Sequence, residues 1–337
     1  MANAIQPPPR ARRANSRASS AARASPPPPP APPPQPLPLL LSFSAVHGNP
    51  ATRYLADNDH ILSGYLHRPG YLPALAGLLT LHNESANIWT HLLGAGAVLR
   101  LAAAVALAPA SAGLAPGAAC AAAAAAPPTP TWPLLVFLCG AATCLLFSVV
   151  YHAGATVSRR VSAALNVLDY LGISFLIFTS NVPPTYYAFQ PHFPAAGALW
   201  LALSLLLNCA AGALGTVPFF RAPGFRHLRA LAYVACGAAG VLPLLHFLWL
   251  NRSASAPRGE WALGLQLLQR SALMGAQYIA GAALFGLRIP ERFAPGRFDY
   301  FPSHAFFHVL VVTAVLTHWG TVRGLWLWRS CGAETLF

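Results

Sequence analysis

The sequence contains no lysine, and all 21 of its basic residues are arginine. That excludes a Schiff-base lysine of the kind a covalently bound retinal needs. Acids are scarce too: Asp and Glu together number eight, and charged residues make up only 9% of a chain that is 55% hydrophobic with a mean hydropathy of +0.50. So few charges cannot coat a soluble globule of 337 residues, and the composition is that of a membrane protein. The six cysteines, at positions 120, 139, 144, 209, 236 and 331, form no CxxC pair, and Cys139, Cys144, Cys209 and Cys236 fall inside apolar runs. This argues against a disulfide framework. A net charge of +13 would suit nucleic acid, but the arginines are spread over termini and short loops with no interleaved aromatics. No apolar h-region with a small-residue cleavage pattern follows the basic start, so no signal peptide is expected.

What is present falls into three parts: a Pro/Ala/Arg-rich region over residues 1–59, a seven-helix transmembrane domain over 60–327, and a short tail over 328–337. Residues 1 to 41 mix Ala, Ser and Arg and run into Pro26 to Pro30 and Pro32 to Pro34. Such a stretch cannot build a core and is expected to be disordered, with polyproline segments; an organelle transit peptide is the competing reading. From Ile61 to Pro69 the chain reads as a short interfacial helix and a turn. The polar run Leu81 to His91 stands at the edge of the first span, where Asn83 or Ser85 would cap the helix and His82, Glu84 and His91 read as capping and packing residues, with a role in a site as the alternative.

Seven apolar stretches of about 20 residues, the length a bilayer core of about 30 Å demands, lie near Asn87 to Pro109, Pro133 to His152, Leu165 to Phe189, Ala195 to Val217, Leu228 to Leu250, Leu265 to Leu287 and His304 to Leu327. The fold expected is therefore all-α and polytopic. Pro183-Pro184 is expected to kink or break the third span, and Ala118 to Pro130 reads as a low-complexity insertion. Arginine collects in the N-terminal region and after the second, fourth and sixth spans (Arg159, Arg160; Arg221, Arg226, Arg229; Arg288, Arg292, Arg297), while the alternate loops carry little beyond Arg252 and Arg258. Because cytoplasmic loops collect positive charge, the N-terminus is expected in the cytoplasm and the C-terminus outside.

With this topology the ionisable residues gather at the inner ends of the spans. His304 and His308, four apart, lie on one face of the seventh helix; His152 ends the second span and Asp169 begins the third. Three His from two helices make a zinc site with its fourth position open to water, the arrangement of catalytic zinc. Asp169 would hold that water or act as general base, and Ser148, one turn before His152, would hydrogen-bond the water or a ligand carbonyl. His246 and His318 read as interfacial or satisfied core residues.

Several of these segments, in this order, resemble a known family. Glu84 to His91, Ser148 to His152 with Ser158-Arg159, Leu168 to Ile173, and Pro290 to Phe293 through Gly296 to Asp299 and on to Ser303-His304 and His308 are similar to those of the progestin and adipoQ receptor family, which includes the adiponectin receptors and bacterial haemolysin-type proteins. The resemblance covers roughly residues 60 to 327. It implies an inverted seven-helix fold in the plasma membrane or an endomembrane such as the Golgi, with one Zn2+ held by His152, His304 and His308 and with Asp169 and Ser148 beside it. It further implies a cavity that takes a membrane lipid, ceramide-like or a fatty acid, with hydrolysis of a lipid amide, a protein or steroid as possible ligand, and no nucleic acid. Two classes stay open: a zinc-dependent hydrolase, or a receptor or scaffold in which zinc is structural.

Overall fold

The computed structural model describes residues 39–107, 129–190, 192–253 and 259–331. The polyproline stretch, most of the insertion at Ala118 to Pro130, and the tail beyond Cys331 lie outside the described residues. Long helices dominate: α3 (Ser85–Leu107), α4 (Trp132–Gly154), α5 (Arg159–Phe189), α6 (Pro194–Thr216), α7 (Arg226–Ala239), α8 (Val241–Leu250), α9 (Glu260–Leu287) and α10 (Ser303–Cys331). In hydrocarbon every backbone N–H and C=O must find its partner within the segment, which is what these Leu-, Ala- and Val-rich runs achieve by coiling. A helix of 23 residues such as α4 extends about 34 Å and spans the bilayer core.

Among the described residues, six segments are long and apolar enough to cross a membrane: α3, α4, α5, α6, His227–Leu250 and Ser303–Ser330. The fifth of these is built from α7 and α8, which meet at Gly240; a Cβ there would fall 2.4 Å from Asn181 Oδ1 on α5. The remaining expected span, α9, has ample length at 28 residues, but Gln266, Gln269, Arg270 and Gln277 interrupt its apolar run, and it is not among those six. α4 packs against α3 and α5, α5 against α6, and α10 touches α3, α4, α5 and α9. The main core lies along these contacts and includes Val98, Phe137, Leu138, Leu145, Val315 and Leu325. Small residues bring the backbones together. A Cβ on Gly172 of α5 would meet Cys144 Cα of α4 at 3.0 Å, and one on Gly94 of α3 would fall 2.6 Å from Val312 of α10.

Two expectations are corrected. The Ile61 to Pro69 stretch is not helical: Tyr65–Leu66 forms strand β2, paired antiparallel with β1 (Leu40–Leu41) in the register Leu40 to Leu66 and Leu41 to Tyr65. Gly64 at φ +80° turns the chain into that strand, a conformation glycine adopts at little cost. Residues 39–59 likewise carry structure, with β1 followed by α1 (Phe43–Gly48) and a 3-10 turn at Arg53–Leu55; Leu41, Val46, Ile61 and Tyr65 pack into a small apolar cluster. A second short helix, α2 (Tyr71–Gly77), leads into α3.

Of the two outcomes expected at Pro183-Pro184, a kink or a break, α5 shows no break: the helix runs on to Phe189. A proline at position 184 leaves the carbonyl of Ser180 without its helical donor. His318 of α10 supplies one, its Nε2 standing 2.8 Å from Ser180 O. Since a carbonyl only accepts, this nitrogen carries the proton. His318, 4% exposed, is thus a satisfied core residue, as its sequence position suggested.

Candidate metal centre

The starts of α3, α5 and α10 and the end of α4 meet at one end of the bundle. The start of α10 is fixed by an acid twelve residues upstream. Glu291, fully buried, accepts from Ser303 N at 2.9 Å and Ser303 Oγ at 2.5 Å, and also from Asn58 Nδ2 at 3.0 Å. A carboxylate at a helix N-terminus satisfies free N–H groups and complements the helix dipole. The same loop is pinned by Asp299, whose carboxylate accepts from Leu62 N at 2.9 Å and Ser63 Oγ at 2.6 Å. Held in this way, α10 presents His304 and His308 on one face.

His152 comes to them from the end of α4. Its ring centroid is 4.9 Å from that of His304 and 5.0 Å from that of His308, and the latter two are 4.6 Å apart. One nitrogen from each ring lies within 4.8 Å of the others, so small ring rotations bring all three onto one ion, and this group could hold a metal. His152 and His308 are buried and His304 half-buried.

The hydrogen bonds on the far sides of the rings decide which nitrogens face inward. His152 Nδ1 lies 2.8 Å from Glu84 Oε2, and His308 Nδ1 lies 3.0 Å from the carbonyl of Asn87. Both partners are acceptors, so both Nδ1 atoms carry protons and both Nε2 atoms keep their lone pairs. His152 Nε2 is buried with no hydrogen-bond partner among the described residues. A buried polar atom left in that state is rare, and an unprotonated imidazole nitrogen beside two others is the donor set that Zn2+ takes. The residues fit the ion.

Glu84 stands just before α3. Burial acts to raise its carboxyl, but the hydrogen bonds from His152 Nδ1 at 2.8 Å and from Asn87 Nδ2 at 2.6 Å hold it below the usual carboxylate range. It is therefore ionised at any physiological pH. Asp169 lies within electrostatic reach of His152 and faces Ser148 as a hydrogen-bond acceptor, although Ser148 Oγ, on a residue only 1% exposed, has no close hydrogen bond among the described residues. A cavity of about 100 Å³ opens beside the cluster, with Asp57, Glu84, Tyr151, His152 and His304 among its lining residues.

All five residues singled out from the sequence thus gather at one end of the bundle. His82 caps as expected, its Nδ1 accepting from Glu84 N at 3.2 Å. Glu84 and His91, read from sequence as capping and packing residues, stand instead against two of the metal-facing rings. His91 stacks on His308 with centroids 3.6 Å apart and planes 5° from parallel. The available signal was the single acid three residues before Asn87 at the mouth of a span, since a lone charge there needs a partner.

The sequence profile described as Haemolysin-III related matches residues 79–319. The chain belongs to this family. Among relatives of the haemolysin-III-related chain, the heptahelical transmembrane protein ADIPOR2 of Oryza sativa subsp. japonica is 45% identical over 202 residues, covering 60% of this chain and 85% of its own. The adiponectin receptor protein of Drosophila melanogaster is 31% identical over 301 residues, 87% of this chain and 62% of its own, and the ADIPOR-like receptor IZH1 of Eremothecium gossypii is 35% identical over 282 residues, 82% and 83%. The haemolysin-III-related chain is accordingly an adiponectin-receptor-like, integral multi-pass membrane protein.

Proposed function

We propose that the protein is a zinc-dependent membrane hydrolase that cleaves a lipid amide such as ceramide at the His152, His304 and His308 centre. The observation that carries this reading is the company the three rings keep: a carboxylate, Asp169, and a buried hydroxyl beside it, Ser148, stand next to them. A metal held only as a staple is more often closed by a fourth protein ligand. Zinc bound there would act as a Lewis acid toward the amide carbonyl and bring the pKa of a water to about 7.

The chain's own groups would do the rest. Asp169 takes a proton from the attacking water as its oxygen bonds to the amide carbon, and returns it to the departing nitrogen as the C–N bond breaks, releasing a fatty acid and an amine. Ser148 donates a hydrogen bond to the amide oxygen. Glu84 and Asn87 O hold two of the rings, and the apolar helices admit the acyl chain. The arginine distribution supports a cytoplasmic N-terminus and an exterior C-terminus, so a tag at residue 1 should be reachable only after permeabilisation and one after Phe337 without it.

A second reading is favoured by the names of the relatives, of which the Drosophila protein is a receptor: a signalling receptor or scaffold in which zinc holds α4 and α10 together. Asp169→Asn separates the two. Under the hydrolase reading it keeps most of the zinc while ceramide hydrolysis by purified protein falls about 10²-fold or more, the scale of a general base. Wild-type protein that holds zinc and turns over no long-chain amide would leave the receptor reading.

A further inference from the structure

We infer that the inner end of α3, which supplies none of the three convergent nitrogens, is the outer sphere of the metal centre: Glu84, Asn87 and His91 fix which nitrogen of His152 and of His308 faces the ion and the plane in which each ring lies. This rests on the metal reading above and adds to it a positioning role for residues on a helix outside the ligand set.

Three separate contacts converge on it. Glu84 Oε2 accepts from His152 Nδ1 at 2.8 Å, and Asn87 Nδ2 steadies that same oxygen at 2.6 Å. Asn87 O accepts from His308 Nδ1 at 3.0 Å. One turn further along the same face, His91 lies flat on the His308 ring at 3.6 Å and 5°. The two nitrogens of an imidazole point away from each other, so an acceptor on Nδ1 turns Nε2 toward the cluster. An ionised carboxylate on Nδ1 also makes Nε2 a stronger donor.

The close approach of the two helices is built in. Gly94, one turn beyond His91, leaves room for Val312, one turn beyond His308. His91 itself is only 4% exposed, and neither of its nitrogens has a hydrogen-bond partner among the described residues, so its service to the site is the ring face it lays on His308. His304 is held differently, with Phe285 of α9 at 4.4 Å between centroids. Two of the three rings therefore depend on α3, and the third does not.

The test uses the full chain in detergent, titrated with Zn2+ against a competing chelator and with Co2+ read by its visible absorption. Glu84→Ala should weaken Zn2+ binding about 10- to 100-fold and shift the Co2+ bands, with the metal-free protein melting close to wild type. Glu84→Gln, whose amide oxygen still accepts from Nδ1, should recover part of the loss. His91→Ala should weaken binding as well, and His91→Phe, which keeps a stacked ring without nitrogens, should restore it. Wild-type affinity and Co2+ spectrum in both Glu84→Ala and His91→Ala would overturn the inference while leaving the three-His centre intact. Equal losses in the alanine and the conservative variants, alongside a lowered melting temperature of the metal-free protein, would also overturn it, since they would mark general support of the fold. Wild-type protein that takes up neither metal would overturn the metal reading and this inference together.

Discussion

At one end of α10, His304 and His308 face a cluster whose polar atoms are only partly satisfied; at the other, Arg329 is bonded all round. Arg329 Nη1 and Nη2 donate to Glu260 at 2.5 and 3.0 Å, Nε donates to Tyr187 O at 2.7 Å, and Nη2 reaches Ala188 O at 3.2 Å. One side chain thus ends α5, begins α9 and closes α10. Nearby, Tyr187 OH donates to Pro130 O at 2.7 Å and Trp326 Nε1 to Thr129 O at 3.1 Å. Of the ten buried side-chain polar atoms without a partner among the described residues, five (His152 Nε2, Ser148 Oγ, both nitrogens of His91, and Asn87 Oδ1) sit around the His cluster. Both ends bury charged or polar groups, at similar cost. Only the far end has closed its network, so it reads as a staple, and the His end reads as a site shaped for something the chain itself does not supply.

The largest expected effect breaks the comparison at the site. His308→Ala, or His304→Ala, should strip most of the bound zinc, because a three-ligand centre loses affinity steeply when one ligand goes. The protein should remain folded, since the far-end network is untouched; metal analysis beside a melting curve reads both at once. Zinc content unchanged in both variants would sink the assignment.

The converse experiment is Glu260→Ala. Glu260 is 2% exposed and the Arg329 side chain 11%, so the substitution leaves a largely buried guanidinium without its carboxylate. Breaking a buried pair on one side costs about 3–5 kcal/mol, which thermal unfolding in detergent would register as a large drop in Tm. Zinc stoichiometry should stay at the wild-type level. If Glu260→Ala instead lost zinc with little change in melting, the two ends would be coupled and the comparison would fail.

His318→Phe is the next step down. The ring keeps its edge contact with Phe137, whose centroid is 4.8 Å away, but the Ser180 carbonyl loses its donor. An orphaned buried acceptor costs about 1–3 kcal/mol. Faster hydrogen exchange confined to the last turns of α5 would identify the cause, and unchanged exchange there would remove His318 from the account of the intact helix.

How much of this was legible in the sequence follows from how local each signal is. The spans are, because twenty consecutive apolar residues state their own requirement, and so is the i,i+4 pair His304 and His308. The constellation with His152 and Asp169 needed only the alternation of the helices. What could not be read depends on partners far apart in the chain. His318 reaches Ser180 across 138 positions, and Glu84 meets His152 across 68, so neither the survival of α5 through two prolines nor the role of the acid is written in its own neighbourhood. The two-residue strand at Tyr65–Leu66 has no periodicity to detect and exists only because Leu40–Leu41 lies beside it. Arg329 fell in the expected tail for a similar reason: the helix continues past residue 327 because Glu260 and the end of α5 hold it there.

The smallest effect sharpens the comparison most, since it sets stability against function at a single atom. Ser148 Oγ is buried with no close hydrogen bond among the described residues and only the Asp169 carboxylate as a neighbouring acceptor, so much of its desolvation cost is uncompensated. Ser148→Ala removes that cost together with one oxygen, and the variant should be as stable as wild type or more stable by up to about 1 kcal/mol. Zinc should be retained, because Ser148 is not among the converging ligands. Turnover of a ceramide-like amide should nonetheless fall about 10-fold, as the loss of about 1.4 kcal/mol of transition-state stabilisation would give. The opposing signs are the point of the measurement: a group kept for packing would lower Tm when removed and leave the rate alone. A Ser148→Ala protein that melts lower than wild type and hydrolyses the amide at the wild-type rate would return Ser148 to the core and leave Asp169 as the one protein group beside the metal with chemistry to perform.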